Sequence, residues 1–321
     1  MLPVFADPKT DFVFKRIFGG EARKPLLIAL LNHLLELEGD HRILELEHLP
    51  LEQHVDVPEL KLSIVDVKCT DATGRRFVVE MQVLKIEGFE KRVVYNASKA
   101  YVMQLNNADD YPTLCDVVGV TICNFNLWPD KDEHGHHKVP MLSRWRMQEQ
   151  HRGQVGLPQV QYTFLELPKY AAGNEPQTLV DKWAYFFRET RYLNAIPEAL
   201  SERPFLDALE IARTATFGAF EWLAYDRAKM AEQDARGAMA IVQKEARAEG
   251  RAEGRAEGEA EGKRLAILAV LNARALPVSA ELRDRIEACT DAAQLDGWIF
   301  RAATAPTAEA LLSDSPTDPP A

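Results

Sequence analysis

The strongest constraint in this chain is a hairpin. Two β-rich runs, Leu62–Thr70 and Arg75–Val83, flank the tetrapeptide Asp71-Ala72-Thr73-Gly74. Val, Ile, Thr and Phe dominate the runs, and the Asp…Gly cluster supplies the positive-φ position that a tight reversal needs. Alternation puts Glu80 and Gln82 on one face and Met81 on the other. Counting outward from the turn sets Asp66 nearly opposite Val79 and Glu80, to within a residue of register, where facing Cβ atoms lie about 4.5–5.5 Å apart. Two carboxylates and an amide oxygen then share one small patch. Such oxygen ligands suit Mg²⁺ or Mn²⁺, with water and a substrate phosphate in the remaining positions. The same spacing also fits the plain solvent face of a hairpin, because Asp-x₁₃-Glu-x-Gln is a loose pattern.

The stretch resembles the catalytic hairpin of the PD-(D/E)xK nuclease superfamily, and especially its Rpn branch, the recombination-promoting nucleases often labelled transposases. In that pattern an Asp opens the second core strand, and Glu-x-Gln replaces the commoner Glu-x-Lys on the third. Asp66, Glu80 and Gln82 stand at those positions. The phrase DFVFKRIFG (Asp11–Gly19), followed by a Leu-rich helix, resembles the branch's N-terminal signature, and the resemblance runs from about Asp7 to Tyr192.

The resemblance implies an α/β fold: an αβββαβ core with a mixed central sheet flanked by helices, followed by a helical C-terminal region. It also implies a metal-dependent DNA endonuclease. Asp66, Glu80 and the main-chain carbonyl of Met81 would hold Mg²⁺ or Mn²⁺, while Gln82 orients water or a phosphate oxygen. Gln82 cannot carry the charge of the missing motif lysine, so help is expected from Lys15 or Lys68. By the same resemblance Asp11 and Lys15 lie near the active site; without it they are a surface i, i+4 pair. Arg92 and Tyr95 match positions that recur in the family's helix and are expected to hold DNA phosphates.

Taken in order, Asp7 or Thr10 caps a short helix with Phe14 and Phe18 on one face, and Pro25–Leu37 forms a second helix with a leucine stripe. His41–Val57 is mixed and leads into the first core strand. Gly88–Asn106 reads as a helix with Val94, Ala97, Tyr101 and Leu105 as its apolar stripe; Arg92, Tyr95 and Lys99 take another face, Lys99 on its solvated side. Leu114–Phe125 is apolar enough for a buried strand. Phe164–Lys169 resembles a family segment, a strand ending in a proline-marked turn, and Leu179–Tyr192 carries Trp183, Phe186 and Phe187 as core aromatics.

Three histidines and three acids crowd Asp130–His137, yet H-x-H-H is not spaced like a structural zinc site and describes an exposed loop better. Pro197–Gln243 reads as helix. The repeat Ala246–Gly262 places Gly at 250, 254, 258 and 262, with like charges at i, i+4. Each Gly costs about 1 kcal/mol against Ala in a helix, so alone the segment is a poor helix or a linker. Lys263–Leu312 reads as a small helical module, and 313–321 as a Pro-rich disordered tail. The expected divisions are thus a nuclease domain at 1–195, a helical extension at 196–243, the repeat at 244–264, the small module at 265–312 and the tail at 313–321.

A net charge of −11 argues against tight non-specific DNA binding by the chain alone, although a cutting enzyme needs only a local basic surface. The four cysteines form no C-x-x-C pair and read as buried thiols. No apolar run is long enough to span a membrane and no signal segment is evident, so a cytoplasmic protein is expected. DNA and a second copy, held through the C-terminal helices, are the expected partners. The rival reading is a degenerate nuclease fold acting as a scaffold through helical oligomerisation.

Overall fold

The computed structural model describes residues 3–53, 63–105 and 110–312. Leu62, Pro58, Asn106 and the expected tail lie outside the described residues. The chain divides into two compact units, Met1–Arg236 and Gly237–Ala321.

The first unit runs α1 (Asp11–Phe18), α2 (Lys24–Leu35), β1 (Leu46–His48), β2 (Glu52–Gln53), β3 (Ser63–Ile64), β4 (Val67–Asp71), β5 (Arg76–Gln82), α3 (Phe89–Val102), β6 (Val117–Cys123), β7 (Leu142–Trp145), β8 (Val160–Glu166), α4 (Leu179–Glu189) and α5 (Phe205–Ala212). A mixed six-stranded sheet has the order β1-β4-β5-β6-β8-β7, while β2 and β3 pair separately. β4–β5 is the expected antiparallel hairpin, and β5–β6 and β6–β8 are parallel. The expected α/β core with flanking helices is present.

Alternation explains the layers. Val67, Cys69, Phe77, Val79 and Met81 face a large core shared with α1, α2, α4 and α5. Val78 faces the other way, against Ala97 and Ala100 of α3. β6, covered on both faces, is buried throughout. Phe14 and Phe18 lie side by side on one face, with tilted rings and centroids 5.0 Å apart, as their i, i+4 spacing predicts. Trp183, Phe186 and Phe187 are core, and α4 opens with a Thr178–Asp181 capping box.

The hairpin turn is built on Asp71. Its Oδ1 accepts from Thr73 N–H at 2.9 Å, Thr73 Oγ1 at 2.7 Å and Arg75 N–H at 3.0 Å, and its Oδ2 accepts from Arg75 Nε at 2.8 Å. Gly74 takes φ +85° and lies so close to Cys115 Sγ that a Cβ there would sit 2.5 Å away.

Two expectations change, and one open alternative is resolved. α3 turns toward the sheet through Phe89, Val93, Asn96, Ala97 and Ala100, so Val94 is exposed and Lys99, read as solvated, is only 5 % exposed. The first β-run breaks at Val65-Asp66, leaving Asp66 at a bend between β3 and β4. The Gly repeat is helical within α6 (Ala219–Ala273). Ala, Arg and Glu are strong helix formers, and propagation costs little once the packed flanks have nucleated.

In the second unit, Ile267 and Leu271 of α6 pack with Leu282, Ile286, Leu295 and Trp298 from α7 (Ala280–Ala288) and α8 (Ala292–Thr304). Ser279 and Asp291 cap those two helices, whereas Leu265 is exposed. Asp130–His137 is a turn closed by a Lys131–His137 bridge, with Asp132 Oδ1 accepting from His134 and His136 N–H at 2.9 Å each. Among the described residues no helix is long and apolar enough to cross a membrane. All four cysteines are free; Cys69 and Cys123 are buried, whereas Cys115 and Cys289 are half-buried.

Candidate active site

The site forms where β4 begins and β5 ends. Val67 pairs with Val79, so the next facing positions are Asp66 and Glu80. Asp66 leaves the strand because its own carboxylate takes over a main-chain donor: Oδ2 accepts from Met81 N–H at 2.8 Å. The main chain just before it turns to the other side, with Val65 N–H donating to Leu51 O at 3.3 Å.

Glu80 is buried on the α3 face of β5. Asn96 Nδ2 donates to its Oε1 at 2.6 Å, and Arg92 Nη2 lies 3.8 Å from its Oε2. Arg92 also donates to Gln82 Oε1, and Gln82 Nε2 donates to Leu84 O at 2.9 Å. Both polar ends of Gln82 are therefore engaged by protein groups. Asp66, Glu80, Met81, Gln82, Arg92 and Tyr95 all line one open cleft of about 630 Å³.

Lys15 comes from α1. Its Nζ pairs with Asp11 Oδ1 at 2.6 Å and stands 3.8 Å from Asp66 Oδ1. Asp11 and Lys15 line a second cavity, of about 650 Å³, together with Arg227 of α6. Lys68 shares the α3 face of the sheet but does not line that cleft. Burial, with Arg76 and Lys99 nearby, lowers its pKa.

Burial pushes the Asp66 carboxyl up to about 7. The Met81 N–H and Lys15 oppose that rise, while the charges of Asp11 and Glu80 add to it. Burial raises Glu80 as well, against the Asn96 hydrogen bond and Arg92. Two desolvated carboxyls facing one cleft make a donor set that a hard divalent cation fits. Among the described residues, Asp66 Oδ1 is paired with Lys15 and Glu80 Oε2 with Arg92, each at 3.8 Å.

The structure thus brings Asp66, Glu80, Met81, Gln82, Arg92 and Tyr95 together around one cleft, while Lys15, paired with Asp11, approaches Asp66 from α1. Sequence reasoning missed Asn96, which is 3 % exposed. Its signal was present: Asn96 follows Arg92 by four residues and so shares its helical face.

The family described as PD-(D/E)XK nuclease family transposase matches residues 8–241 of the chain. No curated protein and no solved structure matches it.

Proposed function

The chain belongs to the PD-(D/E)XK nuclease family of transposases, and from that premise we propose that it is a metal-dependent endonuclease that hydrolyses DNA phosphodiester bonds, promoting recombination or acting on mobile DNA. The observation that carries this reading is the convergence of Asp66 and Glu80 on one cleft with an arginine on its wall.

Asp66 and Glu80 would hold Mg²⁺ or Mn²⁺, and the Met81 carbonyl would complete the set by analogy with the superfamily. Bound there, a divalent cation polarises the scissile phosphate and lowers the pKa of the attacking water. Asn96 keeps Glu80 Oε1 occupied, which leaves Oε2 for the cleft. Gln82 acts through Arg92: by accepting from its guanidinium it fixes the positive charge that the motif itself lacks. Arg92 and Tyr95 receive the substrate phosphates, while Lys15 and Asp11 set the field at Asp66 from α1. A homodimer through the C-terminal helices would suit a double-strand cutter with one site per subunit.

The test is cleavage of supercoiled plasmid with Mg²⁺, Mn²⁺, Ca²⁺ or EDTA, comparing wild type with Asp66→Ala and Glu80→Ala. Nicking or linearisation that needs Mg²⁺ or Mn²⁺ and disappears in both variants supports the reading. An inactive wild type, or equal cutting by the variants, transfers the weight to a scaffold role.

A further inference from the structure

A third cavity, of about 430 Å³, lies at the opposite end of the sheet and shares no lining residue with the cleft of Asp66 and Glu80. It opens where β5, β6 and β8 begin, beneath the end of α2. Leu35, Leu37, Phe77 and Val118 give it an apolar floor.

Its rim is charged. Arg75, Arg144 and Arg146 line it, with a single carboxylate, Asp116. Two of the arginines are held from behind. Asp71 Oδ2 accepts from Arg75 Nε at 2.8 Å. Glu36 Oε2 accepts from Arg144 Nη1 at 2.9 Å, and Leu34 O from Arg144 Nη2 at 3.0 Å. The Arg146 guanidinium and the Asp116 carboxylate form no ion pair or side-chain hydrogen bond among the described residues, with each other or with anything else.

We propose that this cavity is a binding site for a nucleoside monophosphate group, separate from the catalytic centre. The floor takes the flat face of a planar heterocycle such as a base. Guanidinium groups match phosphate oxygens in bidentate geometry, and two of these three are already oriented by carboxylates. Asp116 is an acceptor for a sugar hydroxyl or an exocyclic amine. The volume lies within the range of small-molecule pockets. A free nucleotide and the phosphorylated 5′ end of a DNA strand present the same chemistry.

The experiment is calorimetric titration of the full chain in EDTA with AMP, dAMP, adenosine and inorganic phosphate. A hairpin oligonucleotide with and without its 5′-phosphate completes the set. Wild type, Asp66→Asn, Arg146→Ser and Asp116→Asn are compared after their melting curves show that each is folded. The monophosphate should bind wild type and Asp66→Asn alike. It should bind Arg146→Ser at least tenfold more weakly, and adenosine should bind at least tenfold more weakly than AMP. Loss of AMP binding in Asp116→Asn with dAMP unaffected assigns Asp116 to the 2′-hydroxyl. Binding by the 5′-phosphorylated hairpin alone also supports the site and names a DNA end as its source. No binding to folded wild type by any phosphorylated probe overturns the proposal, as does binding that Asp66→Asn abolishes and Arg146→Ser leaves intact.

Discussion

Met81 donates its main-chain N–H to Asp66 Oδ2 at 2.8 Å, so the bend that carries one carboxylate is tied to the strand that carries the other. The bond orients Asp66 without satisfying it, since burial still lifts its pKa from the ordinary 3.8 to about 7. Between those values the folded protein keeps a proton that the unfolded chain has lost. Stability of the metal-free protein therefore falls as pH rises through that window, by at most about 4 kcal/mol. Asp66→Asn removes the titration. Urea unfolding in EDTA should find the stability difference shifting in the variant's favour between about pH 5 and about pH 8, as wild type goes on losing stability through the upper part of that window. Mg²⁺ should then stabilise only wild type at the higher pH. An equal loss of stability in Asp66→Asn at both pH values would contradict the burial account.

Asn96 supports the second carboxylate. Its Nδ2 donates to Glu80 Oε1 at 2.6 Å inside a buried contact, so Asn96→Ala strands an acceptor and should cost about 1–3 kcal/mol. Losing that donor also lifts the Glu80 carboxyl further above its usual range, because the hydrogen bond now opposes the rise. The acid limb of the cleavage pH–rate profile should move to higher pH in Asn96→Ala. A profile that keeps its shape and merely drops in amplitude would reduce Asn96 to a packing residue.

The hairpin, its turn and the shared face of Glu80 and Gln82 were legible because a period of two and an Asp…Gly cluster are local signals. The break at Asp66 was not, because it depends on a side chain capturing a donor from another strand. Burial of Lys99 was hidden for a related reason: the helical period defines two faces of α3, but the sheet decides which one is covered. Local signals leave the repeat open between helix and linker: mild i, i+4 repulsion and the Gly costs weaken a helix, and nucleation from the packed ends of a much longer helix decides for it.

Gly74 bears two separable strains. Its φ of +85° is unfavourable for any L side chain, and an added Cβ would meet Cys115 Sγ at 2.5 Å. Gly74→Ala should destabilise by about 1–3 kcal/mol from the backbone alone, with the clash in addition. Pairing it with Cys115→Ala should relieve the clash and leave the backbone cost. Thermal unfolding should then place the double variant between Gly74→Ala and the Cys115→Ala control. A double variant as unstable as Gly74→Ala would mean that Cys115 moves aside freely.

The missing motif lysine makes the Gln82–Arg92 contact the sharpest test of mechanism. If Gln82 works by holding Arg92 over Glu80, the two residues act as a unit. If Gln82 instead orients water by itself, their effects are independent. Arg92→Ala and Gln82→Ala should each slow cleavage by roughly ten- to a hundredfold, or about 1.4–2.8 kcal/mol of barrier. In the coupled case the double variant should be little slower than the worse single one, because removing a partner whose contact is already gone costs nothing more. Arg92→Lys should recover only part of the rate, since an ammonium on a flexible stem lacks the fixed planar geometry of the guanidinium. Gln82→Lys in the Arg92→Ala background should restore cleavage by returning a cation to the strand position that the parent superfamily uses. Single-turnover rates at saturating Mg²⁺ separate these cases: strict additivity of the two alanine variants would show that Gln82 does not act through Arg92.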